Sequence, residues 1–317
     1  MYDRSLFVAL FLILAFPTAT LLAQEAPGYD KLTKEAIALA SQGKLDEAIV
    51  AAREANRVAV EFAGADSWIA AISGSNLGEM LRRKGATQEA KTVLERAIAA
   101  GTVAEGSTET MLASMKNSLA VVYVSLGDLE GAEALYNENI ATFNKLGMTD
   151  SEELALVMND AAELYRRKGD TTTAERMYKE SIGISEKNGR ATTIFMGYRY
   201  TNYGLLLAEK NQFAEATQYM EKGIAILQDS LPADSPDLTN TQLNLAQVLA
   251  NQAFTVLSTG DYASAEPPLS KSIKIFERVQ PDNPNLSQIY DAYSMILFQL
   301  DRLDEAKVYK DKAKVNE

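Results

Sequence analysis

The sequence predicts an all-α protein, a solenoid of about seven antiparallel helix pairs. Three observations carry that prediction. A helix-ending residue recurs every 42 residues, at Gly43, Gly85, Gly127 and Gly169 and then as Asn211. An alanine stands five places after each such residue, at Ala48, Ala90, Ala132, Ala174, Ala216, Ala265 and Ala306. With only 8 prolines and 18 glycines in 317 residues, the chain is dominated by helix-forming side chains.

Residues 1–23 read as a secretory signal rather than as part of the fold. Arg4 precedes an apolar run from Leu6 to Phe16, Pro17 breaks it, and Thr18 to Ala23 ends on a small residue. Cleavage is expected after Ala23, and the apolar run is short for a membrane span. The expectation is therefore a secreted or periplasmic protein with no membrane insertion after cleavage.

Residues 24–317 read as one solenoid, with repeats over roughly 29–61, 66–104, 108–146, 151–188, 193–230, 236–279 and 284–317. Seven places before each helix-ending residue stands a small side chain: Ala36, Gly78, Ala120, Ala162, Gly204, Ala253 and Ser294. Three places further stands a larger one: Leu39, Leu81, Tyr123, Tyr165, Leu207, Val256 and Leu297. The small residue and the alanine of the second helix are expected where two backbones approach closely. A larger side chain there would overpack, at about 1–3 kcal/mol. Asn211 suits a left-handed C-terminal cap almost as well as glycine, and Gly260 and Asp301 continue the series. The sixth unit carries seven extra residues between Ala246 and Ala253, about two helical turns, which predicts one over-long first helix. Pro267-Pro268 predicts a kink or delay in the helix that follows. Tyr136, Tyr178, Tyr123 and Tyr165 fall on packing positions, and Trp68 is read as packing. Tyr198, Arg199 and Tyr200 are read as preceding the fifth first helix. The last helix, with Lys307, Lys310, Lys312 and Lys314, reads as a solvent-facing cap.

The spacing small-x-x-large-x-x-x-Gly-x-x-x-x-Ala resembles the tetratricopeptide repeat, and the 42-residue period resembles its kinesin-light-chain-like subclass. Gly260-Asp261-Tyr262-Ala263-Ser264-Ala265-Glu266-Pro267 is similar to that subclass's second-helix opening, and Leu243-Asn244-Leu245-Ala246 to its first-helix signature. The resemblance covers residues 29–317. It implies a right-handed superhelical solenoid whose first helices line a concave groove that binds a protein or peptide partner.

On a wheel of 100° per residue, the side of each first helix opposite its core face would line that groove. The candidate peptide-binding residues on it are Asn76, Glu79, Arg83, Asn117, Asn159, Glu163, Arg167 and Asn202. Asparagine offers two donors and an acceptor to a peptide backbone, and arginine can hold a carboxylate in two places. The competing readings are hydrogen bonds between units or solvation for the asparagines, and exposed i, i+3 or i, i+4 ion pairs for the Glu and Arg residues.

Composition narrows the function further. The chain has no cysteine and no histidine, so thiolate nucleophiles, Ser-His-Asp sites and the usual zinc ligands are absent from its alphabet. No cofactor, metal or catalytic residue is assigned. A formal net charge of −12 without a basic run argues against nucleic acid. The leading reading is an extracytoplasmic interaction scaffold. The alternative is a structural subunit of a cell-envelope assembly acting through its ends or convex face, with self-association through terminal repeats. An enzyme is the third and least supported reading.

Overall fold

The computed structural model describes residues 28–315. The signal-peptide expectation for residues 1–23 therefore lies outside the described residues. Among the described residues there are fourteen α-helices and no strand. In chain order they are α1 (Tyr29–Ser41), α2 (Leu45–Ala63), α3 (Trp68–Lys84), α4 (Thr87–Val103), α5 (Glu109–Leu126), α6 (Leu129–Lys145) and α7 (Glu152–Arg167). Then follow α8 (Thr171–Lys187), α9 (Ile194–Glu209), α10 (Phe213–Ser230), α11 (Pro236–Leu257), α12 (Tyr262–Val279), α13 (Leu286–Gln299) and α14 (Leu303–Val315). The described chain divides into two compact units, with the division between Ile184 and Ser185, inside α8. In the first, α1 packs on α2, α3 on α4 and α5 on α6, and successive pairs stack through α2 on α3, α4 on α5 and α6 on α7. In the second, the pairs are α9 with α10, α11 with α12 and α13 with α14.

The turns within pairs follow from the helix-ending column. Glycines 43, 85, 127, 169 and 260 have φ between 77° and 83°, and Asn211 and Asp301 adopt 60° and 61°. Each therefore ends its helix in the left-handed conformation that the sequence anticipates. The residue after the cap donates back to the carbonyl at the fourth place before it. Asp128 N bonds Tyr123 O at 2.9 Å, and Gln212 N bonds Leu207 O at 2.9 Å. That closing bond satisfies carbonyls the helix would otherwise leave open.

The two kinds of helix start differently. First helices are capped by Ser67, Thr108, Ser151 and Thr193, whose hydroxyls accept from the amide three residues on. Three second helices are capped by an aspartate after the glycine: Asp128 Oδ1 accepts from Gly131 N, Asp170 Oδ1 from Thr173 N and Asp261 Oδ1 from Ser264 N, whereas Lys44, Ala86 and Gln212 give no side-chain cap. A cap of this kind contributes about 1 kcal/mol.

Close approach is literal. A Cβ on Gly204 would stand 2.5 Å from Met220 Cγ and 3.0 Å from Ala216 O, and one on Gly78 would stand 2.6 Å from Leu94 Cγ. The facing alanines are buried throughout. A second small or polar column escaped the sequence reading. Twelve places after the cap, Asn139 Nδ2, Ser181 Oγ and Ser272 Oγ donate to Ala113 O, Ala155 O and Ala246 O, tying each second helix to its own first helix. Gly223, in the same column, lies so close to α9 that a Cβ there would meet Gly197 O at 2.6 Å.

Several expectations change. The helix α11 is indeed the longest, at 22 residues, and Leu245, Leu249 and Ala253 keep one buried face. However, α12 starts at Tyr262 and runs through Pro267 and Pro268 without delay. Both prolines lie past the first turn, where each forgoes one backbone bond. Tyr198, Arg199 and Tyr200 lie inside α9 and are buried, not ahead of it. Tyr136 and Tyr178 are core, whereas Tyr123 and Tyr165 are only half-buried.

Candidate functional site

The sequence-predicted residues fall on α3 (Asn76, Glu79, Arg83), α5 (Asn117), α7 (Asn159, Glu163, Arg167) and α9 (Asn202). The first unit brings the α5 and α7 residues together. Asn117 Nδ2 donates to Asp160 Oδ2 at 2.8 Å, bridging α5 to α7. Asn159 Nδ2 donates to the other oxygen, Oδ1, at 3.1 Å. One buried carboxylate thus orients two asparagines from neighbouring pairs. Asn117 is fully buried, and its Oδ1 has no hydrogen-bond partner among the described residues. An unsatisfied buried carbonyl costs about 1–3 kcal/mol, so such a group is a natural place for a ligand donor.

Glu163 is the second centre. Its carboxylate accepts from Arg166 Nε and Nη2, each at 2.6 Å, from Arg167 Nε at 3.0 Å and from Tyr178 Oη at 3.2 Å. Glu79 is matched in the same way by Arg82, whose Nε and Nη2 reach its two oxygens at 2.8 and 2.6 Å. Burial penalises the Arg82 guanidinium, but the charges of Glu79 and Asp160 together raise its pKa and hold it protonated. Burial, and then the charge of Asp160, pushes the Tyr136 hydroxyl well above the usual phenol range. Tyr178 is raised in the same direction by burial and by Glu163. Three guanidinia (Arg82, Arg166, Arg167) thus stand with three carboxylates (Glu79, Asp160, Glu163) on α3 and α7.

The Glu and Arg residues therefore make the i, i+3 and i, i+4 pairs of the competing reading, but largely buried ones. The side chains of Glu163 and Arg82 are only 5% and 7% exposed, which lifts them out of the class of weak surface pairs.

Two asparagines do not join this cluster. Asn76 borders a void of about 10 Å³ with Thr33, Ala36, Ile37 and Met80, among α1, α2 and α3. Asn202 is buried on α9, in the second unit. The reason is register. Asn117 and Asn159 precede their small residues by three places, Asn76 and Asn202 by two, and one place turns a helix by 100°. The four do not share a face. Arg83 also reaches elsewhere, donating to Ala40 O at 3.3 Å across the first pair boundary. The residue the spacing underrated is Asp160. It sits beside Asn159, and only the stacking of α5 on α7 reveals its role.

Among the described residues no group of three potential ligands could hold a metal ion, and no helix is long and apolar enough to cross a membrane. The tetratricopeptide repeat family matches residues 111–187 and again residues 198–237. Both stretches carry tetratricopeptide repeats. The chain's fold class is the all-α helical-repeat solenoid. The chain is similar in fold to BtubC (BKLC) from P. vanneervenii, at 19% identity and a TM-score of 0.57, over 74% of this chain and 91% of that one. It is similar to the apo form of RapI, at 12% identity and a TM-score of 0.57, over 91% and 98%. It also resembles the tetratricopeptide-repeat STAND protein PH0952 from Pyrococcus horikoshii, at 16% identity and a TM-score of 0.65, over 95% of this chain and 44% of that one. No curated protein matches the chain. Repeats of this family mark a protein–protein interaction scaffold, a fold that is typically not enzymatic.

Proposed function

We propose that this scaffold works outside the cytoplasm and holds an extended segment of a partner protein along the strip formed by α3, α5 and α7. The observation that carries the reading is the Asn117 carboxamide. Its amide nitrogen is committed to Asp160, and its buried oxygen is left to accept from something else. A peptide backbone supplies N–H donors at regular intervals, and Arg167 on α7 suits a carboxylate on the same segment. The N-terminal signal grammar ending at Ala23 supports the compartment.

The test is a pull-down from a matched envelope extract with wild type and with Asn117→Ala plus Asn159→Ala. A partner held by wild type and lost by the double variant, at unchanged helicity, supports the strip as the working surface. Retention of the same partner refutes it. A second reading, a structural subunit of an envelope assembly acting through its ends, draws on the last pair, where Phe298 and Leu303 are 61% and 54% exposed. That reading gains if the partner stays bound to the double variant and leaves a Phe298→Asp variant.

A further inference from the structure

The first pair presents an apolar groove of about 380 Å³ between α1 and α2, floored by Leu32, Leu39, Val50 and Ala51 and rimmed by Glu35, Glu47 and Glu54. Val50 is 69% exposed. Glu35 and Glu47 are exposed and make no ion pair among the described residues.

The inner repeats show what such a face receives. Forty-two residues on, Leu39 and Ala51 become Leu81 and Val93, which pack in one core with Ile49 and Ala52 of α2. Glu47 becomes Glu89, and Glu89 is met by Arg53 of that same α2 at 2.5 Å. The natural occupant of this kind of face is therefore a helix with an apolar stripe and a cation set against the acidic rim.

A second copy continuing the stack does not supply that helix. The α14 residue in the register place of Arg53 is Asp311, which would oppose Glu47. The α14 residue in the column of Ile98, Ile140, Ile182, Ile224 and Ile273 is Lys314, with its side chain 64% exposed. We infer that the open face of α1 and α2 is a docking site for a basic amphipathic helix of a different protein. Apolar residues of that helix cover Leu39 and Ala51, while its lysines or arginines face Glu35 and Glu47.

The test uses the full chain and a dye-labelled 15-residue helical peptide of leucine, alanine and lysine, with a counterpart in which glutamate replaces lysine. Fluorescence anisotropy should show saturable binding of the lysine peptide and none of the glutamate peptide. Glu35→Lys plus Glu47→Lys should weaken binding by about tenfold or more. Val50→Asp should weaken it as well. Glu105→Lys plus Glu130→Lys, the same charge change at exposed glutamates elsewhere, should leave it unchanged. So should Asn117→Ala plus Asn159→Ala, which separates this face from the strip on α3, α5 and α7. Equal loss from both glutamate pairs would reduce the effect to net charge and overturn the inference. Concentration-dependent self-association in sedimentation that Val50→Asp abolishes would make a second copy the occupant and overturn it too.

Discussion

Tyr165 Oη donates to Glu133 Oε1 at 2.9 Å, joining α7 to α6 across the boundary between successive pairs. The arrangement recurs between Tyr293 and Glu266, at 2.6 Å, and Tyr123 clasps Glu95 at 3.1 Å. In α5 and α7 the large residue thus does two things: its ring packs between pairs and its hydroxyl latches the preceding second helix. Tyr165→Phe should keep the packing and lose the latch, lowering stability by about 0.5–1.5 kcal/mol in urea unfolding.

These latched phenols also set a pH response. Burial, then Glu133, raises the pKa of Tyr165 to about 12; Tyr200 and Tyr293 are raised to about 12 by burial with Glu186 and Glu266. Unfolded tyrosine ionises near pH 10. A raised folded-state value means the stabilisation is complete below about pH 10 and is lost as pH climbs toward about 12. Stability should fall through that window. Tyrosinate absorbance should appear late in the folded protein, and Tyr165→Phe should flatten the fall.

Glycines in this chain divide by what surrounds them, and two substitutions should have opposite signs. Gly204→Ala drives a Cβ against Met220 and the backbone oxygen of Ala216, and should cost about 1–3 kcal/mol. Gly183→Ala, on exposed helix with nothing within 4 Å of the new atom, should stabilise by about 0.5–1 kcal/mol. Thermal or urea unfolding of the two variants side by side checks both signs.

Removing one partner from a buried ionic cluster is costlier than removing an exposed one. Glu163→Ala leaves Arg166 without its bidentate acceptor and Tyr178 Oη without this hydrogen bond, and should destabilise by about 3–5 kcal/mol. Glu54→Ala, which breaks an exposed pair with Arg57, should change the unfolding midpoint far less.

The repeat was legible because it is local. A left-handed cap must be glycine, asparagine or aspartate, and a close crossing must be small, so Gly127 with Ala120 and Ala132 announces a pair without any long-range information. The site was less legible because it depends on which residues meet across pairs. Asn117 and Asn159 stand 42 residues apart in the same register, so the period found them. Asp160, which holds both, carries no periodic signal, since its counterparts are Asn76, Ser118 and Asn202. Asn76 was misplaced by one residue of register, enough to turn its side chain toward the core of the first pair instead. The prolines of α12 misled because a propensity rule for isolated helices gave way to the packing of Leu269, Ile273 and Phe276, all buried.

The central claim is that a partner lies along α3, α5 and α7. The most direct measurement is site-specific photo-crosslinking in cells of the source organism, with the photoreactive residue at Ser125 on α5 or at Glu130 on α6. The account predicts a discrete protein adduct from Ser125, lost on Asn117→Ala plus Asn159→Ala, and none from Glu130. Adducts from Glu130 alone, or equal adducts from both positions, would contradict it.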